Sequence, residues 1–182
     1  MHGQHRDIGK ERGFTLVEMV MTMAMLAILV GIAVPSFRSM MLNNRAASTA
    51  NALVQVITNA RSEAVKRQAM VALCKSADGK QCTDSGGWDQ GVLTVRFSDT
   101  NGDGRYAIGE EVLEILRADV PFTKGSDING VGGLQNQLSY NPAGRTSVAA
   151  TGHFNIVPKG GDETHGRKVY VFFARAQVRG NS

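Results

Sequence analysis

The sequence predicts an α+β chain: one long, bent N-terminal helix followed by, and packed on, an antiparallel β-rich domain. Three observations predict it. An apolar run extends from Phe14 to Val34 and is broken by Pro35. Beyond it, Leu42, Ala46, Ala50, Leu53, Ile57, Ala60 and Ala64 recur at steps of three and four, which places them on one face of an amphipathic helix. After Ala69 the pattern changes to short β-branched or alternating runs separated by Gly, Asp and Asn.

Residues 1–13 read as a leader. Arg6, Lys10 and Arg12 outnumber Asp7 and Glu11 there, which suits a cytoplasmic N-terminus. Residues 14–35 read as a transmembrane helix, because the 21 residues from Phe14 to Val34 span roughly 30 Å, the thickness of a bilayer core. A secretory signal would end in an A-x-A-like cut, and Val34-Pro35-Ser36-Phe37 is a poor one. Glu18 is the one acid in this lipid-compatible run. An unpaired carboxylate at such a position costs a few kcal/mol, so it is functional by default. Pro35 removes a backbone hydrogen bond and bends the helix. The amphipathic segment, residues 36–68, carries an i,i+4 Glu63–Arg67 pair on its outer face.

Residues 69–182 read as the β-rich domain. Met70–Leu73, Val92–Phe97, Val112–Leu116, His153–Val157 and Lys168–Phe173 are its predicted strands. Lys124 to Gln137 is rich in Gly and Asn and predicts a mobile loop. Trp88, the single tryptophan, follows Gly86-Gly87 and reads as a packing anchor.

The formal net charge is +4 and the sequence pI is about 9.3. That balance does not by itself imply nucleic acid. The excess is concentrated late: from Lys159 onward there are Arg167, Lys168, Arg175 and Arg179 against Asp162 and Glu163. Cys74 and Cys82 flank an Asp78-Gly79 turn signal. In an oxidising compartment they predict a disulfide stapling that turn. A zinc site is excluded by spacing, since His2 and His5 lie in the leader and His153 and His165 are far away in sequence. No phosphate-cradling loop or nucleophile–base motif is visible, and nothing argues for an enzyme.

The stretch Arg12-Gly13-Phe14-Thr15-Leu16-Val17-Glu18 resembles the cleavage and methylation site of type IV prepilins and pseudopilins. Ala60-Arg61-Ser62-Glu63-Ala64-Val65-Lys66-Arg67 is similar to a segment of the GspH/FimT group of minor pilins and pseudopilins. So is the order Cys74, Cys82, Trp88, Phe97-Ser98-Asp99, Tyr140-Asn141-Pro142-Ala143-Gly144-Arg145 and Gly152-His153-Phe154. The resemblance implies a pilin-like fold and cleavage between Gly13 and Phe14 by prepilin peptidase, with N-methylation of Phe14. It also implies single-pass anchoring in the inner membrane with the C-terminal domain in the periplasm. Glu18 of one subunit would then face the N-terminal amine of a neighbour. The partners implied are other pilin or pseudopilin subunits and the inner-membrane assembly platform. The function implied is that of a minor subunit, in initiation or at the tip, of a type IV pilus or a type II secretion pseudopilus. A stand-alone membrane-anchored periplasmic protein that keeps its leader is the bland alternative.

Two binding sites remain as candidates. Asp99, Asn101, Asp103, Arg105 (through its carbonyl) and Glu110 match a calcium-loop pattern, with Gly104 at the turn. Strands rather than helices flank it, and a plain turn wants the same residues. Some FimT-like minor pilins bind DNA through arginines of a C-terminal Gly-Arg-x-Arg tail. The corresponding stretch here reads Ala174-Arg175-Ala176-Gln177-Val178-Arg179-Gly180, with Ala in place of the leading Gly and the arginines four apart. Arg167, Lys168, Arg175 and Arg179 are the candidate phosphate contacts. The alternative is a solvated last strand and tail.

Overall fold

The computed structural model describes residues 13–119, 125–146, 152–172 and 175–180. The leader before Gly13, together with Lys124 and Phe173 of the predicted segments, lies outside them. Helix α1 runs from Leu16 to Arg67 and continues through Pro35. Its N-terminus is capped by Thr15, whose Oγ1 accepts from the Glu18 N–H at 3.3 Å. Its C-terminus closes as a Schellman turn. Gln68 adopts a left-handed φ of 50°, and the N–H groups of Ala69 and Gln68 donate back to Ala64 and Val65 at 3.2 and 3.4 Å.

The chain divides into two compact units, one ending at Arg38 and the other beginning at Ser39. In the first unit every described residue is exposed, including Phe14, Leu26, Ile28, Leu29 and Ile32. In the second, all seven residues of the predicted helix face are buried, joined by Thr49 and Val56. The period-3.6 pattern therefore identified the packed face correctly.

Against that face lie two antiparallel four-stranded sheets. The first has the order β3-β2-β1-β5, with β1 Val71–Lys75, β2 Val92–Phe97, β3 Val112–Asp119 and β5 Gln137–Tyr140. The second has the order β4-β6-β7-β8, with β4 Ser126–Val131, β6 Gly152–Pro158, β7 Arg167–Phe172 and β8 Arg175–Gly180. One core joins α1 to both: Leu53, Ile57 and Ala60 meet Leu73, Leu138 and Tyr140 of the first sheet and Ile128, Phe154 and Val169 of the second. Trp88 sits in this core at 1 % exposure. Its Nε1–H donates to the carbonyls of Leu134 and Gln135 at 3.0 and 3.2 Å, and its ring meets Phe154 edge-on at 5.0 Å.

The expectation of a mobile loop from Lys124 to Gln137 is wrong. That stretch holds β4, a 3-10 turn at Gly132–Leu134 and the first residue of β5. Ile128 and Leu134 are buried. Its glycine content has a packing cause: a Cβ on Gly130 would lie 1.8 Å from the Leu134 carbonyl oxygen and 3.0 Å from the Trp88 indole nitrogen. Glycine here makes room for the tryptophan rather than for motion. Strands β5 and β8 were also not predicted.

Strand β1 is buried along its whole length, so the first sheet is covered on both faces there, while its edge strand β3 is largely exposed. On the side away from the main core, Ala72, Cys74, Leu93, Val95 and Phe97 cluster with Tyr106. Phe97 and Tyr106 meet edge-on at 5.4 Å. Cys74 and Cys82 form the expected disulfide, with Cα atoms 5.6 Å apart. Cys82 lies in a loop rather than on a facing strand, because the partners of β1 are β2 and β5. Asp78 folds that loop by accepting from the N–H groups of Lys80 and Gln81 at 2.8 and 3.0 Å. Lys75 is only 4 % exposed. Its ammonium donates to the carbonyls of Asp84 and Gly86 and to Asn136 Oδ1 at 2.6, 3.1 and 3.1 Å, pinning the disulfide loop to the segment before β5.

Two expected outcomes follow from the packing. Trp88→Ala removes a fully buried ring and leaves two carbonyls without their donor, so it destabilises the domain by about 3–5 kcal/mol, read by circular dichroism in denaturant. The second concerns Asp162, which caps the 3-10 turn Glu163–His165. Hydrogen bonds from the Thr164 hydroxyl and the His165 ring hold its carboxyl down at about 2. A depressed carboxylate contributes stability above its unfolded value near 3.9, and that contribution is lost as pH falls toward the folded value. The Asp162 carboxyl is expected to titrate near 2 by NMR, and Thr164→Ala to raise the midpoint.

Candidate assembly and binding sites

Gly13, Phe14, Thr15 and Glu18 line a groove of about 510 Å³ at the N-terminal end of α1. The spacing Thr15-x-x-Glu18 is a capping-box pattern, a sequence signal separate from the acid's place in a lipid-compatible run. Its first half is formed, through the Glu18 N–H to Thr15 Oγ1 bond. The carboxylate therefore belongs to the first helical turn, where the macrodipole favours negative charge. A free amine on Phe14 would be the complementary charge for such a group on an adjacent chain.

The loop Asp99–Glu110 spends its oxygens on its own backbone. Asp99 accepts from the N–H groups of Gly102 and Gly104, both at 2.9 Å. Asn101 accepts from Asp103 N–H at 2.9 Å, Asp103 from Arg105 N–H at 2.7 Å and Glu110 from Ala107 N–H at 2.8 Å. Among the described residues no three acidic, His or Cys groups converge as a metal site. These bonds fold the loop as a turn. It has a packing role as well: it carries Tyr106 onto Phe97, and the Tyr106 N–H donates to Ser139 Oγ at 3.0 Å.

The C-terminal bases lie on adjacent strands. Lys168 of β7 is directly opposite Arg179 of β8, and Phe172 is opposite Arg175. Arg175 and Arg179 are exposed and Lys168 is half-buried. Arg167 turns its guanidinium back to the Gly166 carbonyl at 2.9 Å. The structure thus brings Lys168, Arg175 and Arg179 to one two-stranded edge. Elsewhere, the predicted Glu63–Arg67 pair is present at 2.6 Å. Arg67 also reaches Glu114 at 3.1 Å, and Glu114 meets Arg96 at 3.3 Å, so the helix end is tied to β2 and β3.

A family model described as Type II transport protein GspH matches residues 49–173, and the prokaryotic N-terminal methylation motif matches residues 8–34. The Pilin-like protein PilA1 of Thermus thermophilus is 34% identical over 102 residues, 55% of this chain and 56% of that protein. The chain thus spans little more than half the length of that relative. Among solved structures, the type IV minor pilin FimU of Pseudomonas aeruginosa matches in two crystal forms. One gives a TM-score of 0.55 at 19% identity over 76% of this chain and 90% of FimU. The other gives 0.52 at 22% over 72% and 90%. At these identities the likeness speaks for the fold, a long N-terminal helix packed on antiparallel sheets, which is pilin-like as expected. With the GspH model covering well over half of its length, the chain belongs to the GspH family and carries the N-terminal methylation motif.

Proposed function

We propose that this chain is a minor subunit of a type IV pilus or a type II secretion pseudopilus, acting in initiation or at the tip. The observation that carries the proposal is the first unit of the structure. From Phe14 to Val34 the chain exposes a surface that is apolar except at Thr15, Glu18 and Thr22, with Phe14 and Leu16 at 83 % and 80 %. Such a surface does not stay in water and marks a lipid or protein contact. The segment is long and apolar enough to cross a membrane. On this reading the leader is cut after Gly13 by prepilin peptidase and the α-amine of Phe14 is methylated. The helix waits in the inner membrane with the β domain in the periplasm, and the assembly platform passes it into the filament. There the apolar helices of neighbouring subunits replace lipid. Glu18 pairs with the Phe14 amine of a neighbour, which offsets two desolvation costs and fixes the axial register. The work is architectural rather than catalytic.

A second reading is favoured by one observation, the juxtaposition of Lys168, Arg175 and Arg179 on β7 and β8: a competence-type subunit that captures DNA. Cations directly opposed on a sheet are destabilising on their own, and phosphates relieve them.

Glu18→Ala is expected to leave membrane insertion intact and to abolish recovery of the subunit in sheared filaments; wild-type recovery contradicts the pairing. For the second reading, a gel shift with duplex DNA should weaken steeply with salt. The Arg175→Ala, Arg179→Ala variant should bind less and with a shallower salt slope; no shift at low salt removes that reading.

A further inference from the structure

The alternation of the second sheet sends Phe154, Ile156, Val169 and Val171 into the core and leaves the intervening residues on an outer face. Three rings line up there. His153 and Tyr170 are cross-strand partners with ring centroids 5.2 Å apart. Tyr170 and Phe172 are nearly parallel, 13° apart in plane and 6.0 Å in centroid distance. Burial, then the Lys168 ammonium, push the His153 imidazole down from its ordinary value, so near neutral pH it joins the strip uncharged.

The cations on this face flank the rings. Lys168 opposes Arg179, and Arg175 opposes Phe172. Among the described residues none of the three meets a carboxylate. Arg179 recovers part of the cost by lying 5.5 Å over the Tyr170 ring. Asp127, an acid on this face, lies on the far edge strand and is taken by Lys159 at 3.4 Å. Between Asn129 and Lys168 sits Asn155, whose buried Oδ1 has no hydrogen-bond donor. Unpaired opposed cations, a strip of rings with Phe172 exposed at 41 %, and an orphaned acceptor are each unfavourable for the domain alone. One chemistry relieves the first two: phosphates against the bases and flat heterocycles against the rings. A duplex keeps its heterocycles stacked inside, whereas a single strand presents them.

We propose that the outer face of β6, β7 and β8 is a platform for single-stranded nucleic acid, with Phe172 stacking a base at the end of the ring strip and Lys168, Arg175 and Arg179 holding phosphates. This rests on the nucleic-acid reading of the C-terminal bases and adds to it the rings and the strandedness.

The test is fluorescence anisotropy of the full chain in detergent with three probes: oligothymidine of about twenty residues, a duplex of the same length, and heparin. The single strand is expected to bind roughly tenfold or more tighter than the duplex. Phe172→Ala, at an exposed position that the fold tolerates, should cost the single strand roughly fivefold or more and leave heparin unchanged, from the energy of stacking one base. Arg175→Ala with Arg179→Ala should weaken all three probes. Equal affinity for single strand and duplex, with Phe172→Ala silent, overturns the platform but leaves the cationic reading standing. Heparin bound as tightly as oligothymidine, with Phe172→Ala again silent, overturns the platform in favour of an acidic-protein surface. No binding to any probe overturns both readings.

Discussion

The domain depends on one contact, the burial of a single helix face by two sheets. Ala46, Ala50, Ala60 and Ala64 are wholly inaccessible on that face. Small side chains alternate there with Leu53 and Ile57, which share one core with residues of both sheets. Neither four-stranded sheet packs on itself. Each finds its apolar partner in α1 and in the residues of the other sheet, through Trp88, Leu134 and Phe154. The hydrogen bonds of Trp88 to the loop before β5 tie this shared core to the chain's sharpest packing constraint, the glycine at position 130.

The same helix presents a different surface before Ser39. There it is apolar on most of its circumference, and every described residue is exposed. A helix of that kind is either a membrane span or the buried centre of an assembly, and the methylation motif covers residues 8–34, the start of this helix and the segment before it. Glu18 belongs to the capped first turn of its own helix, through the Thr15 contact; pairing with an amine on another chain is the role proposed for its charge.

The long-period features were legible in the sequence because they are repeated. Seven helix positions at steps of three and four identified the packed face, and β-branched runs identified β1, β2, β3, β6 and β7. What was not legible was composition shaped by tertiary contact. Asp127, Asn129 and Gly130 look like loop residues, yet they form an edge strand whose glycine accommodates a side chain from 42 positions earlier in the chain. Asp99, Asn101 and Asp103 match a cation-loop pattern, and what the pattern does not show is that they also fold a cover that places Tyr106 on the far side of the first sheet. Lys75 reads as a surface residue, and only the pairing of β1 with both neighbours shows why its stem is buried and its ammonium is held by carbonyls. His153 and Tyr170 are distant in sequence; the register of β6 on β7 makes them one surface.

The most direct test of the account is the intact mass of the chain recovered from the membranes of cells that make it with prepilin peptidase, compared with a Gly13→Leu variant. The account predicts a mature chain that begins at a methylated Phe14, and a variant that keeps its leader and is absent from filaments. A wild-type chain that retains residues 1–13 and still enters filaments would contradict it, because the Phe14 amine that Glu18 is meant to meet would not exist.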